Sequence, residues 1–261
     1  MQIPVYQVDA FTSHQFGGNP AAICPLEDWL EDSVLQSIAA ENNLSETAFF
    51  VPEADGFRLR WFTPLEEIDL CGHATLATAW VLFNCLEWSK PTINFYTRSG
   101  QLVVKQKATL LSMDFPARAP QRISTPPQLA TALGVESQEV WESRDLLVLL
   151  ENEEQVQQIA PDMRQLLTIP DCHAVIVTAP GGNVDFVSRF FAPKVGIDED
   201  PVTGSAHCTL IPFWAQRLKK NEFHARQLSA RGGELFCKNL GARVEIAGEA
   251  RLFLRGHILL Q

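Results

Sequence analysis

Apolar and polar residues alternate with a period of two over several stretches of this chain. "IPVYQVDAF" (Ile3–Phe11), "RLRWF" (Arg58–Phe62), "TINFY" (Thr92–Tyr96), "QLVVKQ" (Gln101–Gln106) and "LLSMDF" (Leu110–Phe115) read as strands in the first half. In the second half "HAVIVTA" (His173–Ala179), "VDFVSRFF" (Val184–Phe191), "RVEIAG" (Arg243–Gly248) and "ARLFLRGHILL" (Ala250–Leu260) read the same way. "DSVLQSIAA" (Asp32–Ala40) predicts a helix. Two further helical segments differ from it: "ATLATAWVLF" (Ala74–Phe83) is apolar on every face, and "AHCTLIPFWA" (Ala206–Ala215) nearly so, with Pro212 expected to kink it. A helix without a polar face must be covered all round, so each is expected at the centre of a small barrel or wrapped sheet.

Those two helices sit in an internal echo. "WFTPLEEIDLCGHATLATAWVLF" (Trp61–Phe83) and "RFFAPKVGIDEDPVTGSAHCTLIPFWAQRL" (Arg189–Leu218) each run from an aromatic strand through a proline, an acidic loop and a glycine into the apolar helix. The spacing suggests a duplicated domain rather than a short repeat. "PARAPQRISTPPQ" (Pro116–Gln128), with four prolines, reads as a linker between the copies. The expected organisation is an N-terminal lobe over 1–115, a linker over 116–128 and a C-terminal lobe over 129–261, whose last strand packs back on the first lobe. The class is α+β with two similar lobes.

"NLSETAFF" (Asn43–Phe50) raises a different question. As a strand it puts Glu46 on one face with Leu44, Ala48 and Phe50. Burying an ionised carboxylate without partners costs several kcal/mol, so such a group tends to hold its proton to higher pH, which makes a base suited to neutrality. The competing reading leaves Glu46 exposed at a strand end or capping the nearby helix.

Totals narrow the class. The 261 residues suit one large or two smaller domains, and 46% hydrophobic with 20% charged residues is the composition of a globular protein. No apolar run approaches the roughly 20 residues that cross a bilayer, and the N-terminus carries no secretory signal pattern, so a cytoplasmic location is expected. Thirty-one acidic against 21 basic residues, net charge −10, argue against nucleic acid or an anionic membrane as partner. Six cysteines lacking a CxxC pair fit reduced thiols better than disulfides or zinc, so no metal is expected. P-loop, paired GxGxxG, HExxH and GxSxG motifs are absent.

The chemistry gathers at the two helix starts. Unpaired N–H groups and a partial positive charge make such starts receptive to anions. Gly72, His73 and Ala74 begin the first; Gly204 and Ser205 begin the second, preceded by Asp200 and Thr203. A small carboxylate is the natural guest. His73 could donate to it or relay a proton, and Ser205 could bind its oxygens, while a lone histidine or a "DPVTGS" turn is also a common capping device. "GGNPAA" (Gly17–Ala22) reads as a turn from which Asn19 could reach a ligand. Arg231 in "SARGGEL" could approach an anion.

"GGNPAA", "NLSETAFF", "LCGHATLATA" and "EDPVTGSAH" in this order resemble the PhzF-like isomerases of phenazine biosynthesis, and "RGGEL" resembles the branch that contains the MAWD-binding proteins. The resemblance covers nearly the whole chain. It implies a diaminopimelate epimerase-like fold, two pseudo-symmetric lobes with the active site between them, a homodimer, and cofactor-free movement of a proton within a cyclic amino acid. It also implies that Glu46 is the acid and base and that His73, Asp200 and Ser205 surround the substrate. The related epimerases use two cysteines; Cys71 occupies the first place, but Thr203 stands at the second, so two-base inversion is disfavoured. An epimerase using Cys71, and a non-catalytic binding protein, are the alternatives.

Overall fold

The structure, a computed structural model, describes residues 1–261 and divides into two compact units, Met1–Asp114 with Ala247–Gln261, and Phe115–Ile246. In the first, the chain runs β1 (Gln2–Ala10), β2 (Asn19–Pro25), α1 (Asp32–Asn42), β3 (Glu46–Glu53), β4 (Gly56–Phe62), β5 (Glu67–Ile68), α2 (Gly72–Cys85), β6 (Thr92–Thr97), β7 (Gly100–Lys107) and β8 (Leu110–Pro116). The second holds β9 (Gln121–Ile123), α3 (Leu129–Leu133), β10 (Glu139–Glu142), β11 (Leu146–Leu149), α4 (Glu153–Gln158), α5 (Met163–Leu167), β12 (Val175–Pro180), β13 (Phe186–Phe191), α6 (Gly204–Leu218), β14 (Glu222–Gln227), β15 (Gly233–Asn239) and β16 (Arg243–Gly248). The final strand, β17 (Ala250–Leu259), pairs antiparallel with β1 within the first unit.

The two units repeat one pairing scheme. From β1 the pairs run antiparallel to β2, parallel to β3, antiparallel to β4, parallel to β6 and antiparallel to β7. From β10 they run antiparallel to β11, parallel to β12, antiparallel to β13, parallel to β14 and antiparallel to β15. Parallel neighbours cannot be joined by a hairpin and need a crossover. In each unit the second crossover is the apolar helix foreseen in the sequence, α2 between β4 and β6, and α6 between β13 and β14.

Helix α2 is buried from His73 through Ala79, two full turns, and packs against β1, β2, β3 and β17. Its internal hydroxyls are satisfied locally: Thr75 Oγ1 donates to Cys71 O at 2.6 Å and Thr78 Oγ1 to Ala74 O at 2.7 Å. Helix α6 continues through Pro212 to Leu218. A proline supplies no N–H, which leaves the carbonyl four residues earlier without a helical partner; that carbonyl, of Cys208, accepts from Arg118 N at 2.8 Å.

Three local features depart from the sequence reading. Gly17–Ala22 is only half a turn, since Asn19 already begins β2. Gly18 makes the preceding turn with φ +64°, and a Cβ there would lie 2.1 Å from Ala10 O, so only glycine fits. The proline-rich stretch also contains a strand, β9, antiparallel to β10. Finally, Asn43 ends α1 in a left-handed conformation, so the strand of "NLSETAFF" begins only at Glu46. All six cysteines are unpaired, and no helix is long and apolar enough to cross a membrane.

Candidate active site

Glu46 opens β3, beside the start of β2, with which β3 pairs in parallel through Ala21 and Glu46. Every residue from Glu46 to Val51 is buried, and Glu46 keeps only 7% of its surface exposed. The exposed-end reading is therefore replaced by a carboxylate held inside. β3 packs against both α1 and α2, and a strand covered on both faces is buried without alternation.

The start of α2 meets this carboxylate. His73 is 5% exposed, and its Nε2 lies 3.0 Å from Glu46 Oε2. That contact has ion-pair distance without hydrogen-bond alignment: Glu46 Oε2 is buried and accepts no hydrogen bond. The other ring nitrogen, Nδ1, lies 3.2 Å from Asn19 Nδ2, and Asn19 is itself fully buried. Cys71, the residue before α2, places Sγ 3.5 Å from the same Nδ1. Gly72 is half-buried and Ala74 buried at this helix start.

Burial by itself disfavours a charged imidazole at His73, but its acidic neighbours Cys71 and Glu46 outweigh burial and hold the pKa well above 6.5. Cys71 is pushed up to about 11, first by burial and then by the charge of Glu46, so at neutral pH it is a thiol. Glu46 stands after Cys71 among the acidic neighbours that raise the His73 pKa.

The second unit carries its own polar constellation at the start of α6. Thr203 Oγ1 donates to Asp200 Oδ2 at 2.6 Å. Gln227, at the end of β14 and 1% exposed, locks the loop: Nε2 donates to Asp200 O at 2.7 Å and to Thr203 Oγ1 at 3.1 Å, and Oε1 accepts from Thr203 N at 2.9 Å. Ser229 Oγ donates to Pro201 O at 2.9 Å. Gly204 is buried and Ser205 half-buried. Arg144 Nη2 reaches Ser205 Oγ at 3.5 Å. Arg144 is in turn gripped along one edge by Asp145, with Nε and Nη2 each 3.2 Å from a carboxylate oxygen. Asp145 is 1% exposed and also contacts His173 Nδ1 at 2.9 Å. Arg231 is half-buried in the turn that precedes β15.

The structure thus brings Asn19, Glu46, Cys71 and His73 together in one unit, and Asp200, Thr203 and Ser205 in the other. Gln227 and Arg144 were not foreseen. Neither sits in a motif: "EFHARQ" and "WESRDLL" look like an ordinary strand and a surface charge run, and only tertiary contacts reveal their partners.

His207, one turn into α6, is fully buried with Nδ1 2.8 Å from Thr203 O and Nε2 unpartnered. Burial lowers its pKa to about 4. The unfolded chain therefore binds this proton first, and stability is complete above about pH 6.5 and lost as pH falls toward about 4, by about 3 kcal/mol in all. His73 acts oppositely: its folded-state value is raised, so its contribution is present below pH 6.5 and lost as pH rises through that raised value. Urea midpoints followed against pH should fall on both sides, and His207→Asn should flatten the acid limb alone. An acid limb identical in the variant would remove this account.

Comparison with known proteins gives the family and the fold. Residues 8–256 match the family model described as phenazine biosynthesis-like protein. An uncharacterized isomerase of Pseudomonas aeruginosa is 52% identical over the full length of both chains. The crystal structure of a phenazine biosynthesis protein of the PhzF family from Enterococcus faecalis superposes with a TM-score of 0.98 at 50% identity, covering all of both chains. A predicted epimerase from P. aeruginosa shares the fold, with a TM-score of 0.78 at 20% identity over 99% of this chain and 100% of its own. The fold is diaminopimelate epimerase-like, as the motifs implied.

Proposed function

This chain belongs to the phenazine biosynthesis-like (PhzC-PhzF) family and is an isomerase, and from that premise we propose that it shifts a proton within a small unsaturated or cyclic carboxylate, using Glu46 as its single acid and base. The observation that carries the reading is the state of Glu46 Oε2: buried, 3.0 Å from the His73 ring, and accepting no hydrogen bond. A buried lone pair without a donor is positioned to take a proton from a bound molecule.

The steps balance without an electron carrier. Glu46 removes a proton from a substrate carbon, the C–H electron pair enters the conjugated system and the double bond moves. Glu46 then returns the proton to the far carbon on the same face. His73 presents a positive charge beside the negative charge that builds up in the transition state, and preorganised charge of this kind is usually the largest catalytic contribution. The N–H groups at the start of α2 favour the substrate carboxylate, and Ser205 with Arg144, beside an Asp200 held by Thr203 and Gln227, form a carboxylate-binding group at the start of α6.

A cysteine-based epimerase is less well supported. Cys71 keeps its proton to about pH 11, and the Thr203 hydroxyl is already donated to Asp200. Deuterated water separates the two. With candidate cyclic amino acids followed by NMR, we expect deuterium at one carbon of a rearranged product with configuration retained elsewhere. Inversion at the α-carbon without rearrangement would reject the single-base reading.

Arg144 gives a second check. Losing a charge-assisted hydrogen bond to the carboxylate costs about 1.5–3 kcal/mol, so Arg144→Ala should raise KM about 10- to 100-fold with kcat little changed. Equal KM in steady-state kinetics would take Arg144 out of the binding group.

A further inference from the structure

The cluster at the start of α2 has the makings of a metal site. Glu46 Oε2 lies 3.0 Å and Cys71 Sγ 3.9 Å from His73 Nε2, and one ligand atom from each residue falls within 4.8 Å of the others. A tetrahedral zinc ion, bonded at about 2.3 Å to sulfur and about 2.0–2.2 Å to nitrogen and oxygen, holds its ligand atoms roughly 3.3–3.6 Å apart. Shifts of a few tenths of an ångström separate the present spacing from that one for the two contacts at Nε2.

We propose that Glu46, Cys71 and His73 bind a borderline-soft divalent cation, Zn²⁺ foremost, in competition with the substrate. The donor set favours this class: a thiolate and an imidazole select zinc and its neighbours, whereas Mg²⁺ and Ca²⁺ want several oxygens and find one carboxylate. Glu46 Oε2, buried without a donor, gains a partner. The outer contact is also in place. With a metal on Nε2, His73 carries its proton on Nδ1, and the buried Asn19 amide 3.2 Å away accepts it after a half-turn that presents Oδ1. That amide is also approached by Ser45 Oγ at 3.5 Å.

Binding displaces the Cys71 thiol proton and the Nε2 proton of His73, and both pass to solvent; no electrons move. A water or a substrate oxygen fills the fourth position. A Glu46 that coordinates an ion cannot accept a substrate proton, so the ion inhibits. The inhibition rests on the Glu46 reading given above; the binding does not.

Cobalt tests the site without turnover. Chelator-treated full-length protein titrated with Co²⁺ should develop thiolate-to-cobalt charge-transfer absorption, saturating at one ion per chain, reversed by Zn²⁺ and untouched by Mg²⁺. Cys71→Ser should abolish that absorption, and Asn19→Ala, which keeps all three ligands, should keep it while weakening affinity about 10- to 100-fold. Absence of the charge-transfer band in the wild type, or its persistence in Cys71→Ser, overturns the site. Zn²⁺ should also slow solvent exchange into substrate with the same saturation curve; binding that leaves exchange unchanged overturns the competition. Because the cobalt titration needs no substrate, a failed isomerase assay bears on the proposed function alone.

Discussion

Glu46→Gln should lower kcat about 10²- to 10⁴-fold, the usual contribution of a positioned acid or base, while KM stays within a few-fold. The substitution keeps the shape and removes the negative charge and the ability to carry a proton. It has a second consequence, because Glu46 is one of the acidic neighbours that raise the His73 pKa. Without it, burial acts with less opposition and the His73 pKa should drop. Carbon-bound exchange in deuterated water measures the first effect, and the pH dependence of the His73 ring resonances measures the second. Exchange at the same rate in variant and wild type would end the single-carboxylate mechanism, even if the His73 shift were found.

Phe186→Ala should destabilise the unit formed by Phe115–Ile246 by about 3–5 kcal/mol, the range for deleting a fully buried aromatic side chain. Phe186 opens β13 with no exposed surface and stacks on Trp214 of α6, ring centroids 5.6 Å apart and planes within 5°. His207 and Phe223 lie at 6.0 and 5.9 Å from the same ring. Trp214 cannot shift freely into the space, because its Nε1 donates to Thr178 Oγ1 at 3.0 Å. A cavity therefore remains. Denaturant unfolding followed by tryptophan fluorescence should show a transition at lower denaturant, and KM should rise, since the same helix begins with Gly204 and Ser205. A loss below about 1 kcal/mol would mean that the cluster collapses into the gap.

Much of the candidate site was legible in the sequence. The two helix starts, Glu46 in an apolar stretch, and the matched order of features in the two halves were all local patterns. Glycine, proline and apolar periodicity act over a few residues, so they mark crossover helices and strands reliably. Asn19 was legible only as a candidate, because the turn it was assigned to ends one residue earlier, at a Gly18 whose need for positive φ depends on the close approach of Ala10 O.

Arg144 and Gln227 were out of reach. Their roles come from Asp145, Ser205, Asp200 and Thr203, partners that the chain brings near only by sheet pairing. By itself the sequence determined many of the strands, the repeated order of features, the all-round apolar helices and the residue types available for chemistry, since these follow from short-range sterics and from the period of hydrophobicity. Tertiary structure alone decided that Glu46 is buried with one oxygen, Oε2, accepting no hydrogen bond, that the His73 pKa is raised, that the Cys71 thiol is pushed up to about 11 and that Thr203 is already engaged. Those properties are set by distance and solvent exclusion among residues far apart in the chain, and no local pattern encodes them.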